Sequence, residues 1–108
     1  MLIRTVRLTF DPAALADFDA LFAETRASIR AQPGCRHLEL WADARYPAVR
    51  TTYSLWDSAA DLDAYRQTDL FRETWARTRR WFAAPPVAAS HTRLVAEASS
   101  DAPAASAP

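Results

Sequence analysis

The sequence predicts an α+β domain of ferredoxin-like type, a four-stranded sheet with its helices on one face. Three observations predict it. Alternating apolar residues mark strands near both ends and a hairpin in the middle; two intervening stretches carry apolar residues at helical spacing; and proline and glycine divide these segments into the order strand, helix, strand, strand, helix, strand. The chain has 108 residues, half of them hydrophobic, which is the size of one domain with a modest core.

Leu2, Val6, Leu8 and Phe10 alternate with Ile3, Thr5, Arg7 and Thr9, the period of a strand. Asp11-Pro12 then opens a helix: the aspartate can accept from exposed amides, and proline suits the first turn, where its missing N–H costs nothing. Leu15, Phe18, Phe22, Thr25 and Ile29 recur at helical spacing with Leu21 beside them, and Pro33-Gly34 stops the run. A second strand is predicted over Cys35 to Trp41, a turn over Asp43 to Pro47 and a third strand over Val49 to Trp56, together an antiparallel hairpin. Ser58-Ala59-Ala60-Asp61 has the form of a helix cap with an acid in the first turn, and opens a short helix holding Leu62 and Tyr65. Thr68-Asp69 starts a further helix with Phe71, Trp75, Thr78 and Phe82 on one face and Leu70, Thr74 and Trp81 adjoining, so the second helix comes in two pieces. Pro85-Pro86 ends it, and Val87 to Val95 is predicted as the fourth strand. Residues 96–108, rich in Ala, Ser and Pro and without an aromatic, are expected to form a disordered tail, which leaves a domain of residues 1–95.

Composition excludes several functions. Thirteen basic and thirteen acidic residues cancel, whereas nucleic acid or an anionic membrane as main partner calls for a surplus of positive charge. Every basic residue is arginine, so lysine Schiff-base chemistry is impossible, and with Gly34 as the one glycine no glycine-rich phosphate loop can be built. One cysteine, Cys35, rules out an internal disulfide or a cysteine-rich zinc site. No apolar run nears the roughly 20 residues of a membrane span. Arginines interrupt the first residues at once, so no signal segment is expected and the chain reads as cytoplasmic.

The strands carry large residues on both faces. The second places Leu38 and Leu40 on one side and Cys35, His37, Glu39 and Trp41 on the other; the third sets Val49, Tyr53 and Leu55 against Arg50, Thr52, Ser54 and Trp56. Helices can cover one face only. A second copy of the chain is the simplest cover for the other, so a homodimer is expected.

Certain segments resemble a known family: Pro33-Gly34-Cys35-Arg36-His37-Leu38-Glu39-Leu40, Thr52-Tyr53-Ser54-Leu55-Trp56-Asp57-Ser58, Leu62-Asp63-Ala64-Tyr65-Arg66, and Leu70-Phe71-Arg72-Glu73-Thr74-Trp75. With the order of elements they make the chain similar to antibiotic biosynthesis monooxygenase (ABM) domains, members of the dimeric α+β barrel superfamily, over nearly all of residues 1–95. The resemblance implies a pocket between helices and sheet. It further implies a monooxygenase that needs no flavin, haem or metal and joins dioxygen to a small aromatic or quinol-type substrate, or else haem degradation. The cofactor-independent members use an asparagine and a tryptophan near the third strand; Trp56 matches the tryptophan, and Thr52 stands about where the asparagine would be. The haem-degrading members use an asparagine on the first strand, near Arg7, and a histidine on the late helix, which has none here. The chain contains no asparagine at all. A non-catalytic ligand-binding or regulatory role on the same scaffold is therefore the alternative.

Each candidate residue has a functional and a structural reading. Trp56 either lines a pocket for a flat ligand or packs the end of its strand onto the next helix. Phe71 and Trp75, with Phe82, form either a ligand wall or a core stripe. Tyr53 and Tyr65 carry hydroxyls able to orient a phenol, Thr52 is the polar contact, and His37 or His91 is the expected proton acceptor because imidazole titrates near neutrality. Structurally, His37 and Glu39 would instead hydrogen-bond within a dimer face. The two histidines with one carboxylate lack a metal-ligand spacing. Glu39 is the expected ion-pair partner of Arg7 or Arg50, and Cys35 a small buried hydrophobe.

Overall fold

The computed structural model describes residues 1–97, and the expected disordered tail lies, but for its first two residues, outside them. The elements are β1 (Leu2–Thr9), α1 (Leu15–Arg30), β2 (Cys35–Ala42), β3 (Val49–Trp56), α2 (Ala59–Arg66), α3 (Asp69–Thr78) and β4 (Val87–Thr92), with 3-10 turns at Pro12–Ala14 and Arg79–Trp81. All strand pairs are antiparallel, in the order β2-β3-β1-β4. This is the ferredoxin-like βαββαβ arrangement, its second helix divided at Gln67-Thr68.

The caps fall where the side chains predict them. Asp11 accepts from the Ala13 amide, Ser58 from Asp61 and Thr68 from Phe71. Asp11-Pro12 starts a 3-10 turn before the α-helix proper, and Phe10 leaves β1 to form an isolated bridge with Phe82. That bridge, with the Asp11 amide donating to the Trp81 carbonyl, ties the end of α3 to the end of β1.

Two strands differ from expectation. β4 ends at Thr92 rather than Val95, because Thr92 pairs with Leu2, the first residue of its sole neighbour β1. Among the described residues, the chain beyond Thr92 pairs with no strand. In β2 a bulge lies between Cys35 and His37: Cys35 pairs with Trp56, and His37 pairs with the adjacent Leu55. The extra residue, Arg36, reverses the parity of the strand. Cys35 therefore turns toward the helices and is buried beside Trp56 and Leu62, whereas His37, Glu39 and Trp41 keep to the other face.

Register now assigns every strand residue to a side. Leu2, Arg4, Val6 and Leu8 of β1 share the helix-side face with Leu38 and Leu40 of β2, Thr52, Ser54 and Trp56 of β3, and Ala88 and Ser90 of β4. Ile3, Thr5, Arg7, His37, Glu39, Trp41, Thr51, Tyr53, Leu55, Val87, Ala89 and His91 share the opposite, open face. α1 packs on β2 and α3, and α2 on β3 and α3. The core divides into two clusters: Leu8, Phe10 and Phe18 at one end of the sheet, and Cys35, Trp56 and Leu62 at the other.

Gly34 joins α1 to β2 with φ of 82°, a left-handed conformation that only glycine adopts freely. A Cβ there would stand 2.6 Å from the Asp61 Cβ, at the first turn of α2. Both the backbone and the packing of α2 thus require glycine. Gly34→Ala is expected to cost more than about 1 kcal/mol of folding free energy, a fall in Tm of at least about 4 °C. Thermal and urea unfolding of the two proteins measure it, and equal stabilities would contradict this reading of the turn.

Candidate functional site

Between the two core clusters lies a cavity of about 270 Å³, roofed by the helices and floored by the sheet. Its origin is in the side chains of the floor. Val6, Thr52, Ser54 and Ala88 are small, and they sit between the bulky Trp56 at one end and Leu8 with Phe18 at the other. Small floor residues cannot reach the helices, so a space stays open.

Aromatic rings form its walls. Tyr65 stacks on Trp56 with centroids 5.2 Å apart, and Phe71 meets Tyr65 edge-on at the same separation. Phe71 and Trp75 lie nearly parallel at 6.0 Å. Trp56 is 1% exposed and fixed by its indole N–H, which donates to the Ser54 hydroxyl at 3.0 Å. Thr25 and Thr78 also line the space, but each turns its hydroxyl back to a helix carbonyl four residues earlier. Among the described residues the hydroxyls of Thr52 and Tyr65 make no side-chain hydrogen bond, which leaves them available to a ligand. Arg4 and Arg66 complete the polar lining.

Burial governs the electrostatics. The Tyr65 phenol is pushed up to about 12, first by desolvation and then by the neighbouring Cys35, so at neutral pH it is an uncharged donor. Desolvation also raises the Cys35 thiol, consistent with a small buried hydrophobe. For Arg4 burial lowers the pKa, the nearby Arg66 charge lowers it further, and Asp63 acts in the opposite sense. No carboxylate or imidazole lines the cavity among the described residues.

The cavity thus gathers five expected residues, Thr52, Trp56, Tyr65, Phe71 and Trp75. Tyr53, His37 and His91 are not among them. Tyr53 is one residue from Thr52 in a strand and so faces away; His37 follows the bulge, and His91 pairs with Ile3, placing both imidazoles on the open face. There His37 Nε2 bonds the Glu39 carboxylate, the Trp41 indole N–H donates to the same group at 2.7 Å, and Tyr53 stacks on Trp41 at 5.0 Å. The Trp41 and His37 contacts hold the Glu39 carboxyl below the usual carboxylate range. Glu39 is consequently not the partner of Arg7 or Arg50, which pair with Asp43 and Asp19. Arg4 and Ser54 were missing from the candidates. Their parity with Val6 and Trp56 is the signal that places them on the floor. Among the described residues no three His, Cys, Asp or Glu side chains gather as metal ligands, and no helix is long and apolar enough to cross a membrane.

The model of the family described as antibiotic biosynthesis monooxygenase matches residues 1–77, from β1 into α3. The chain belongs to this family. Solved structures share the ABM fold. A crystal structure of an antibiotic biosynthesis monooxygenase superposes with a TM-score of 0.82 at 19% identity, covering 88% of this chain and 100% of that one. The Mycobacterium tuberculosis protein Rv0793 gives 0.81 at 20% identity over 90% of this chain and 98% of its own. A conserved protein from Methanosarcina mazei gives 0.79 at 17% identity over 84% and 91%. No curated protein matches the sequence. The ABM-matched segment contains the third strand, α2 and the Phe71–Trp75 pair, hence all five expected residues of the cavity.

Because the Tyr65 phenol lies above the ordinary value near 10, its contribution to stability is fully present below pH 10 and is lost as pH rises toward 12. Absorbance titration at 295 nm should show a tyrosinate step near pH 12 that is missing in Tyr65→Phe. If the variant retains that step, Tyr65 is not the buried phenol of the wall.

Proposed function

We propose that this ABM-family chain binds a small phenol or quinol in the cavity and oxygenates it with dioxygen, without a bound cofactor. The observation that carries the reading is the wall itself: Trp56, Tyr65, Phe71 and Trp75 present flat rings around a space floored by small side chains, among them the hydroxyls of Thr52 and Ser54. Flat apolar walls suit an aromatic ring, and the free hydroxyls of Thr52 and Tyr65 suit its oxygen atoms. In this reading the substrate supplies the electrons. A hydroquinone and one dioxygen give a hydroxyquinone and one water: one oxygen atom is retained in the product, and the other leaves with two substrate hydrogens. The protein orients the ring, excludes bulk water and favours the phenolate that dioxygen attacks. With no imidazole facing the cavity, the phenol proton passes to water at the mouth, and the positive charge of Arg4 and Arg66 lowers the cost of the anion.

One observation favours the alternative, a ligand-binding protein without chemistry: among the described residues no carboxylate or imidazole lines the cavity to act as a base. Oxygen dependence separates the two. A panel of substituted hydroquinones, incubated with the protein in air and under nitrogen, is expected to yield hydroxyquinone only in air, at a rate that falls at least tenfold in Trp75→Ala. Identical products in both atmospheres, with ligand binding intact, would leave the binding reading alone.

The functional unit in this reading is a homodimer closed across the open sheet face, with the barrel interior formed by the two sheets. The support is apolar and aromatic surface there: Ile3, Leu55, the Trp41–Tyr53 stack, and Val87 at 62% exposed. Light scattering should give twice the chain mass, and Leu55→Arg, which sets a charge on that apolar face, should halve it. A wild-type protein of single-chain mass at micromolar concentration would remove the dimer.

A further inference from the structure

The sheet contains four arginines whose pairing differs in one case. Arg7 meets Asp43, Arg36 meets Asp57 through two bonds, and Arg50 meets Asp19 through two bonds of 3.0 Å. Arg4 has no carboxylate within salt-bridge distance among the described residues, and it is the arginine that lines the cavity. Its cross-strand neighbours are Ser54 and Ser90, and its one side-chain hydrogen bond runs from Nη1 to the Ser90 hydroxyl at 3.0 Å. A guanidinium carries five N–H donors in a planar fork that fits a carboxylate through two parallel bonds. The Arg4 side chain is half-buried, and even partial removal of such a group from water beside apolar walls, with no counter-charge, has a cost. The second cation of the lining, Arg66, lies over the face of Phe71 at 5.9 Å, and its charge is felt at Arg4. Two positive groups therefore border one cavity whose other lining residues are aromatic, aliphatic or hydroxyl-bearing, and among the described residues no acid lines it.

We infer that the ligand of this cavity is an anionic aromatic molecule, its ring held between the Trp56–Tyr65 and Phe71–Trp75 walls and its carboxylate or equally acidic oxygen held by the Arg4 guanidinium. This rests on the cavity being the site proposed above and narrows its substrate class. Arg4 is the specificity-determining residue: the four rings accept any flat molecule, and the cation selects the charged ones. Asp63, the one acid that acts on Arg4, lies outside ion-pairing distance, so it lessens the attraction without satisfying the fork.

The test uses two probes of nearly one shape, 2-naphthoate and 2-naphthamide, titrated calorimetrically into the full chain. The wild type is expected to bind the carboxylate at least tenfold more tightly than the amide. Arg4→Met should lose that preference while binding the amide within about twofold of wild type. Arg4→Gln, which removes the charge but keeps a polar side chain with an N–H donor, gives the same comparison should the methionine variant fold poorly. Equal affinities in the wild type would overturn the inference and leave an aromatic site standing. A preference that survives in both variants would overturn the role of Arg4. Binding of neither probe would overturn the inference together with the functional reading beneath it.

Discussion

Trp56 is held from three directions, and the site depends on that restraint. Its indole N–H is fixed to Ser54, its ring is stacked on Tyr65, and its edges are packed by Cys35 and Leu62. A large ring with its one donor satisfied in a buried place has a single low-energy orientation. That orientation sets one end of the cavity and gives α2 a surface to sit on. The turn at Gly34 is part of the same restraint, since it brings the start of β2 beneath α2 with no side chain between Gly34 and Asp61. A cavity survives in so small a domain because both ends of the space are rigid while its floor is too short to fill it.

Most of the fold could be read before any coordinates, for local reasons. Asp11, Ser58 and Thr68 are caps whose chemistry acts within three residues, and Pro33-Gly34 and Pro85-Pro86 act on the backbone directly. The misplaced features depend on partners far along the chain. β4 stops at Thr92 because β1 begins at Leu2, a limit invisible from residues 87–95 alone. The bulge at Arg36 is visible only against β3, and without it Cys35 was grouped with His37.

The candidate site was legible in part for a related reason. Trp56, Tyr65, Phe71 and Trp75 were chosen by aromatic character near the right elements, and the helical spacing of the last two brought them together. Tyr53 and the histidines stand out in the sequence by their chemistry, and chemistry carries no information about which side of a strand a residue faces. Arg4 shows the converse. It is a charged residue, yet its parity with Leu2, Val6 and Leu8 turns it toward the helices. In a two-faced sheet, parity outranks residue type as a guide to the site.

Parity also divides the chemistry of the molecule. Both imidazoles, His37 and His91, are on the open face, where Glu39 engages His37. The cavity receives the donors: the Tyr65 phenol, kept neutral by burial, the Thr52 hydroxyl and the Arg4 fork, with no acid in the lining among the described residues. A lining of donors and positive charge surrounded by aromatic rings is complementary to oxygen atoms rich in electron density, as on a phenolate or a carboxylate. It is poorly suited to a cation or to a neutral donor, either of which would leave the guanidinium unanswered. Such a site can favour removal of a proton from a bound phenol without taking up that proton itself, because stabilising the anion by about 1.4 kcal/mol lowers its pKa by about one unit. The sorting of side chains by strand register therefore sets both what the cavity can hold and which part of the proposed oxygenation it would assist.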